Sequence, residues 1–152
     1  MLDSLDFKIL EHLLVNGRAS WAELANILGL SAPSTAERVK KLEERGVILG
    51  YRVHLNYKLL DYSVTAFISL SLSHPKHISG FLKAVDDLSE VEECHHVAGE
   101  DDYLLKVRCK NTESLDKFLN ENLKILPGIS RTRTTIALSS SKESPIKELN
   151  KH

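Results

Sequence analysis

Residues 20–46, SWAELANILGLSAPSTAERVKKLEERG, constrain the fold more tightly than any other stretch of this chain. Ser20 and Glu23 have the spacing of a capping box, in which each side chain accepts a backbone N–H at a helix start. Leu24, Ala25 and Leu28 then recur at the helical period. Gly29 falls where that helix must stop, because glycine enters the left-handed turn without a side-chain penalty. Ser31 is placed to cap a second helix, with Pro33 in its first turn, where a missing N–H costs little. Ala36, Val39 and Leu42 form the expected buried stripe of this helix, and Ser34, Thr35, Arg38 and Lys41 its outer face. A helix, a tight turn and a second helix with hydroxyls and cations outward make the pattern of a helix-turn-helix, spanning approximately Trp21 to Lys41. Such a motif lays its second helix in the DNA major groove. Ser31, Ser34, Thr35, Arg38 and Lys41 are then the candidate contacts to phosphates and base edges.

The flanking sequence extends the motif into a domain. Upstream, Leu5, Ile9 and Leu13, with Leu10 and Leu14 beside them, form an amphipathic first helix with Asp3 or Ser4 as its cap. Downstream, Val47 to Leu55 is rich in β-branched and apolar residues and reads as a strand. Three helices plus a strand make a winged helix-turn-helix domain of about the minimum size that folds alone. It is assigned to residues 1–50, with 51–62 as a connecting strand and linker.

The charge pattern bears on how such a domain binds. The chain has 20 Lys plus Arg against 21 Asp plus Glu, and within residues 1–56 the two signs balance at seven each. Affinity from counterion release alone is therefore expected to be modest. Four of the seven cations, Arg38, Lys40, Lys41 and Arg45, gather on or beside the second helix of the motif. Several cooperating copies, a dimer or more, are the expected binding unit for double-stranded DNA. No apolar run approaches the length of a membrane span, and Asp3 and Asp6 interrupt any signal-peptide pattern. Two cysteines make no disulfide framework and fit a reducing cytoplasm.

The second half has a different rhythm. Val64 to Leu72 alternates as a strand. Pro75 opens a helix carrying Ile78, Phe81, Leu82, Val85 and Leu88. Val91 to Val97 is a second strand, Ala98 to Asp102 a turn, and Tyr103 to Cys109 a third strand. Ser114 is placed to cap a helix bearing Leu115, Phe118, Leu119 and Leu123, and Pro127-Gly128 ends it. Ile129 to Leu138 is a fourth strand. The order β-α-β-β-α-β is the ferredoxin-like arrangement, so the chain is α+β with this second domain over 63–138. One sheet face carries both helices. The other, with Phe67, Leu104 and Ile136 as its candidate residues, is expected to pair with a second subunit. Residues 139–152, rich in Ser, Lys and Glu, read as a flexible tail.

The turn Ala98, Gly99, Glu100, Asp101, Asp102 is the candidate effector site. A glycine lets backbone N–H groups approach a carboxylate closely, and Asp101 or Asp102 could accept an ammonium group. Arg131 and Arg133, two apart on one strand, could contact a ligand or pair with Glu92 or Glu93. His74, His77, Cys94, His95 and His96 lack the spacing of a structural zinc site, so no metal or other cofactor is expected. No nucleophile set, phosphate-binding loop or paired-carboxylate cleft points to an enzyme.

Across nearly its whole length, from about Leu2 to Leu138, the chain resembles the Lrp/AsnC, or feast/famine, family of transcriptional regulators. The motifs are Leu2-Asp3 with Asp6 and Ile9-Leu10, Asn16-Gly17-Arg18, Glu23-Leu24-Ala25, Gly29-Leu30-Ser31, Arg38-Val39, Leu42-Glu43, Gly46-Val47-Ile48 with Gly50-Tyr51, Gly99 to Leu105, and Pro127-Gly128-Ile129 with Thr132 and Thr134. Ala98 departs from a frequent threonine. The resemblance implies DNA binding through the N-terminal domain and dimerisation through the C-terminal one. It also implies assembly into tetramers, octamers or larger, and an amino acid or related small molecule bound between dimers near Ala98 to Asp102. A ligand-independent protein that wraps or compacts DNA is the alternative.

Overall fold

The computed structural model describes residues 2–146 and 149. They fall into two compact units. One holds the described residues up to His54 together with those from Lys142 onward, and the other holds Leu55–Ser141. The division at 54/55 lies inside the stretch expected as a linker. Residues 139–146 form no regular helix or strand, and most of the tail beyond lies outside the described residues.

The first unit is built on α1 (Ser4–Val15), α2 (Trp21–Leu28) and α3 (Ala32–Glu44). The cap of α1 is Asp3, not Ser4. Its carboxylate accepts the N–H groups of Leu5 and Asp6, while Asp6 reaches back to the N–H of Asp3. The reciprocal capping box therefore belongs to α1. At α2 only half of the expected box forms: Ser20 Oγ accepts the Glu23 N–H at 3.2 Å, but the Glu23 carboxylate lies 3.2 Å from His12 Nε2 on α1. A cation-capable partner draws the carboxylate away from a solvated N–H. Gly29 ends α2 at φ 66°, ψ 33°, as a left-handed cap requires. Ile9, Leu24, Leu28, Val39 and Leu42 form the core where the three helices meet, each side chain worth about 1.5–3 kcal/mol of burial.

Val47 to Leu55 corrects the sequence reading. Among the described residues it pairs with no strand, and Leu49 and Val53 are 94% and 80% exposed. Among the described residues the rest of the first unit is helix and loop and offers no sheet edge, so a β-prone segment stays extended and unpaired.

The second unit is a four-stranded antiparallel sheet of order β2-β3-β1-β4. The strands are β1 (Val64–Leu72), β2 (Val91–His96), β3 (Tyr103–Cys109) and β4 (Ile129–Ala137). They are joined by α4 (Ile78–Asp86) and α5 (Thr112–Lys117), the latter continuing as a π-helical turn over Phe118–Leu123. A 3-10 turn at Pro75–His77 precedes α4. Asn111, not Ser114, caps α5: its side chain accepts the Ser114 N–H at 2.8 Å. Ala66, Ile68 and Leu70 of β1 stand opposite Val107, Leu105 and Tyr103 of β3, which puts all six on one face. Phe81, Val85, Leu115, Phe118 and Leu123 cover that face.

Register also corrects the opposite face. Ile136 pairs with Ala66, so it belongs to the helix-covered side, where it remains 43% exposed on edge strand β4. Phe67 faces the other way, flanked by Lys106 and Thr135, and Leu104 lies beside it. That face is more charged than apolar. Arg108 and Lys106 pair there with Glu92, and the Arg108 guanidinium lies 3.9 Å over the Tyr57 ring. Among the described residues, no helix is long and apolar enough to cross a membrane.

Candidate nucleic-acid interface and effector turn

The candidate DNA-facing residues occupy three different environments on or beside α3. Ser31 is its N-cap, and its Oγ accepts the Ser34 N–H at 3.3 Å. Ser34 and Lys41 are exposed. Thr35 is not on the outer face: it is fully buried, and its Oγ1 donates to the Ser31 carbonyl at 3.0 Å. The core stripe of α3 is Thr35, Val39 and Leu42 rather than Ala36, Val39 and Leu42. A threonine suits that position because its hydroxyl finds the carbonyl one turn back while its methyl packs.

Arg38 is tied to α1. Its Nη1 donates to Asp3 Oδ2 and to Asp6 Oδ1, both at 2.8 Å. The Asp6 N–H and the Arg38 guanidinium together hold the Asp3 carboxyl below its usual range, and the guanidinium is raised in turn, Asp3 leading and Asp6 adding. So the residues that cap α1 also fix α3 against it. The sequence offered Asp3 or Ser4 as the cap, without Asp6 as its capping-box partner. The pair's second role needed the fold, because 32 residues separate Asp6 from Arg38.

The outer surface of α3 carries ion pairs along its length. Lys41 Nζ lies 3.4 Å from Glu37 and Lys40 Nζ 3.6 Å from Glu44, each at i,i+4. Asp6, Ser34, Glu37, Arg38, Lys41 and Arg45 line one surface depression. Beyond α3, the Tyr51 hydroxyl donates to Glu43 Oε1 at 2.9 Å. Burial, and then that carboxylate, push the phenol up to about 12.

In the second unit, the turn over Ala98 to Asp102 is fastened by its own side chains. Asp102 donates its N–H to the Leu70 carbonyl at 2.9 Å and accepts the Leu72 N–H through Oδ2 at 2.8 Å. Asp101, only 6% exposed, accepts from Arg131 Nη2 at 2.7 Å, Arg133 Nη2 at 2.8 Å and Ser71 Oγ at 3.2 Å. Arg131, then burial acting the other way, then Ser71 set its carboxyl, with the net effect downward. Both aspartates are therefore engaged within the chain and hold the turn in place. Ala98 and Glu100 are exposed, and Gly99 has open space where a Cβ would stand.

Arg131 and Arg133 pair with Asp101 and Glu100, not with Glu92 or Glu93. The sheet order explains it: β2 and β4 are opposite edges, about 14 Å apart at the usual strand spacing. Ser71 was the contributor that sequence reasoning missed, because only the β1–β4 register sets it opposite Arg131.

Known proteins match both units. Residues 2–48 match the family model for a winged helix-turn-helix DNA-binding domain, and residues 65–146 match that for the Lrp/AsnC ligand binding domain. The leucine-responsive regulatory protein of Escherichia coli K12 is 41% identical over 145 residues, covering 94% of this chain and 88% of the relative. The structure of E. coli AsnC superimposes with TM-score 0.88 at 33% identity, covering 97% of this chain and 99% of that one. A transcriptional regulator from Neisseria meningitidis, solved as a complex with L-Met, superimposes with TM-score 0.89 at 28% identity, covering 95% and 94%.

Proposed function

We propose that this chain, which belongs to the Lrp/AsnC family of DNA-binding transcriptional regulators, docks α3 in the major groove as part of a homo-oligomer whose DNA affinity an amino acid adjusts at Ala98 to Asp102. The observation that carries the effector reading is the pairing of an open Gly99 with a turn already held in shape. Asp101 and Asp102 fix the backbone, so the turn's N–H groups other than that of Asp102, which the Leu70 carbonyl takes, meet a carboxylate at reduced ordering cost. The bound L-Met of the Neisseria relative supports an amino acid as the ligand class. Because both aspartates are engaged inside the chain, an ammonium group is better met by the exposed Glu100, whose pair with Arg133 is open to water, or by a second copy.

Oligomerisation is supported by the unpaired Val47 to Leu55 segment and by Phe67 on the face without helices. Among the described residues of its own unit, neither meets the apolar or strand partner that such a surface favours. The reading needs no metal or cofactor. Its setting is the cytoplasm, where duplex DNA and free amino acids are both accessible and the free Cys94 and Cys109 stay reduced.

The test is a thermal-shift screen of the full chain against the amino acids, followed by fluorescence anisotropy on labelled duplex with and without each hit. Binding raises stability by RT ln(1 + [L]/Kd). At least one amino acid should raise the melting temperature and change DNA affinity. If none does either while DNA binding persists, the ligand-independent architectural reading stands instead.

A further inference from the structure

We propose that Glu37 sets sequence specificity on the DNA-docking helix: its carboxylate selects an amine-bearing base, cytosine first, at one position of each half-site. The proposal rests on α3 being the helix that enters the major groove.

Three observations single out Glu37. Thr35, Val39 and Leu42 face the core, and Arg38 Nη1 is held by Asp3 and Asp6. What remains outward in the first three turns includes the stripe Ser34, Glu37 and Lys41, spaced three and four apart. Lys41 lies 3.4 Å from Glu37, with 63% and 59% of the two side chains exposed. A pair so open to water is weak and exchanges readily. Glu44, paired in the same way with Lys40, sits in the last turn, while base edges are read from the N-terminal part of such a helix.

On the duplex, phosphates compete for Lys41, and the released counterions favour that exchange. Glu37 is then a carboxylate pressed against a polyanion with water displaced, which is costly unless a donor meets it. In the major groove the only base-edge donors are the amines of cytosine N4 and adenine N6. Guanine O6 and N7 and thymine O4 only accept. Glu37 therefore attracts cytosine, tolerates adenine and repels guanine or thymine at the base it faces. Repulsion from the wrong base adds to attraction to the right one.

The test is selection of binding sites from a random duplex library by the full chain and by Glu37→Gln and Glu37→Ala, with affinities measured on the enriched duplexes and on random-sequence DNA. Wild type should prefer cytosine at one position per half-site by roughly 5- to 150-fold over guanine or thymine. Glu37→Gln should move that preference to adenine, because an amide both donates and accepts. Glu37→Ala should flatten that position alone and tighten binding to random DNA, since a negative charge is gone. The same selected sites for all three proteins, or weaker random-DNA binding by Glu37→Ala, would overturn the role of Glu37 while leaving α3 as the docking helix. Wild type that enriches no site would overturn the docking reading and the proposal with it.

Discussion

Asp6 Oδ1 and Arg38 Nη1 stand 2.8 Å apart, so the arginine nearest the middle of α3 is anchored to α1 before any DNA arrives. Arg38→Ala should therefore lower stability by about 1 kcal/mol, as for a partly shielded ion pair, and Asp6→Ala by a similar amount. The double variant should lose clearly less than the sum, because both changes remove one contact. Urea unfolding followed by the single Trp21 on α2 would read this. An arginine serving DNA alone would leave the unfolding curve where it was.

Asp101→Asn should loosen the Ala98 to Asp102 turn without unfolding the sheet. Two arginines lose their shared anion, so hydrogen exchange at Val97 and Asp102 should speed while β3 stays protected. Amino-acid binding should weaken at least several-fold if the turn is preorganised for a ligand. Calorimetry with the amino acid found in the screen measures it.

Three side chains give the pH profile its ends. Asp3 and Asp101 are lowered in the folded chain, so their contribution is present above the ordinary carboxyl value of 3.8 and disappears as pH falls through their folded values. Tyr51 is raised from 10.0 to about 12, so its contribution is present below 10 and is lost as pH climbs towards 12. Melting temperature should decline on both sides of a broad plateau. The 295 nm phenolate signal of wild type compared with Tyr51→Phe should show one tyrosine ionising late.

Capping and core positions supply graded losses. Ser20→Ala should cost about 1 kcal/mol, because Ser20 Oγ accepts the Glu23 N–H at the start of α2. Glu23→Ala should cost only a few tenths, since its carboxylate serves an exposed pair with His12. Leu105→Ala, fully buried between β1 and the helices, should cost about 2–5 kcal/mol. Chemical denaturation of the three variants would rank them, and a Glu23 loss as large as that of Ser20 would restore the reciprocal box.

The chain's periodicities fix what they can and fail where two phases fit equally. Leu24, Leu28 and Gly29 locate α2 and its end without ambiguity. On α3, both 36-39-42 and 35-39-42 satisfy a helical stripe, and the choice fell to a buried threonine whose hydroxyl is satisfied locally. On the sheet, alternation places Phe67 correctly but cannot phase β4 against β1, so Ile136 landed on the wrong face. The partners of Arg131 and Arg133 depend on strand order, which no local pattern encodes. Val47 to Leu55 has strand composition, yet composition cannot supply a neighbour to pair with. The turn at 98–102 was legible as a turn. The engagement of both its aspartates was not, because Ser71, Leu72, Arg131 and Arg133 come from two distant strands.

Gly99 has neither a left-handed backbone nor, among the described residues, a close neighbour where a Cβ would stand. Alanine there meets no resistance from the isolated fold, so its melting curve should match that of wild type or lie slightly above it, because alanine narrows the unfolded ensemble. Whatever Gly99→Ala does disturb must come from outside the chain, a ligand or another copy approaching the backbone. A single methyl group at this position works as a contact gauge: it reports how near a visitor comes, and it is silent when there is none.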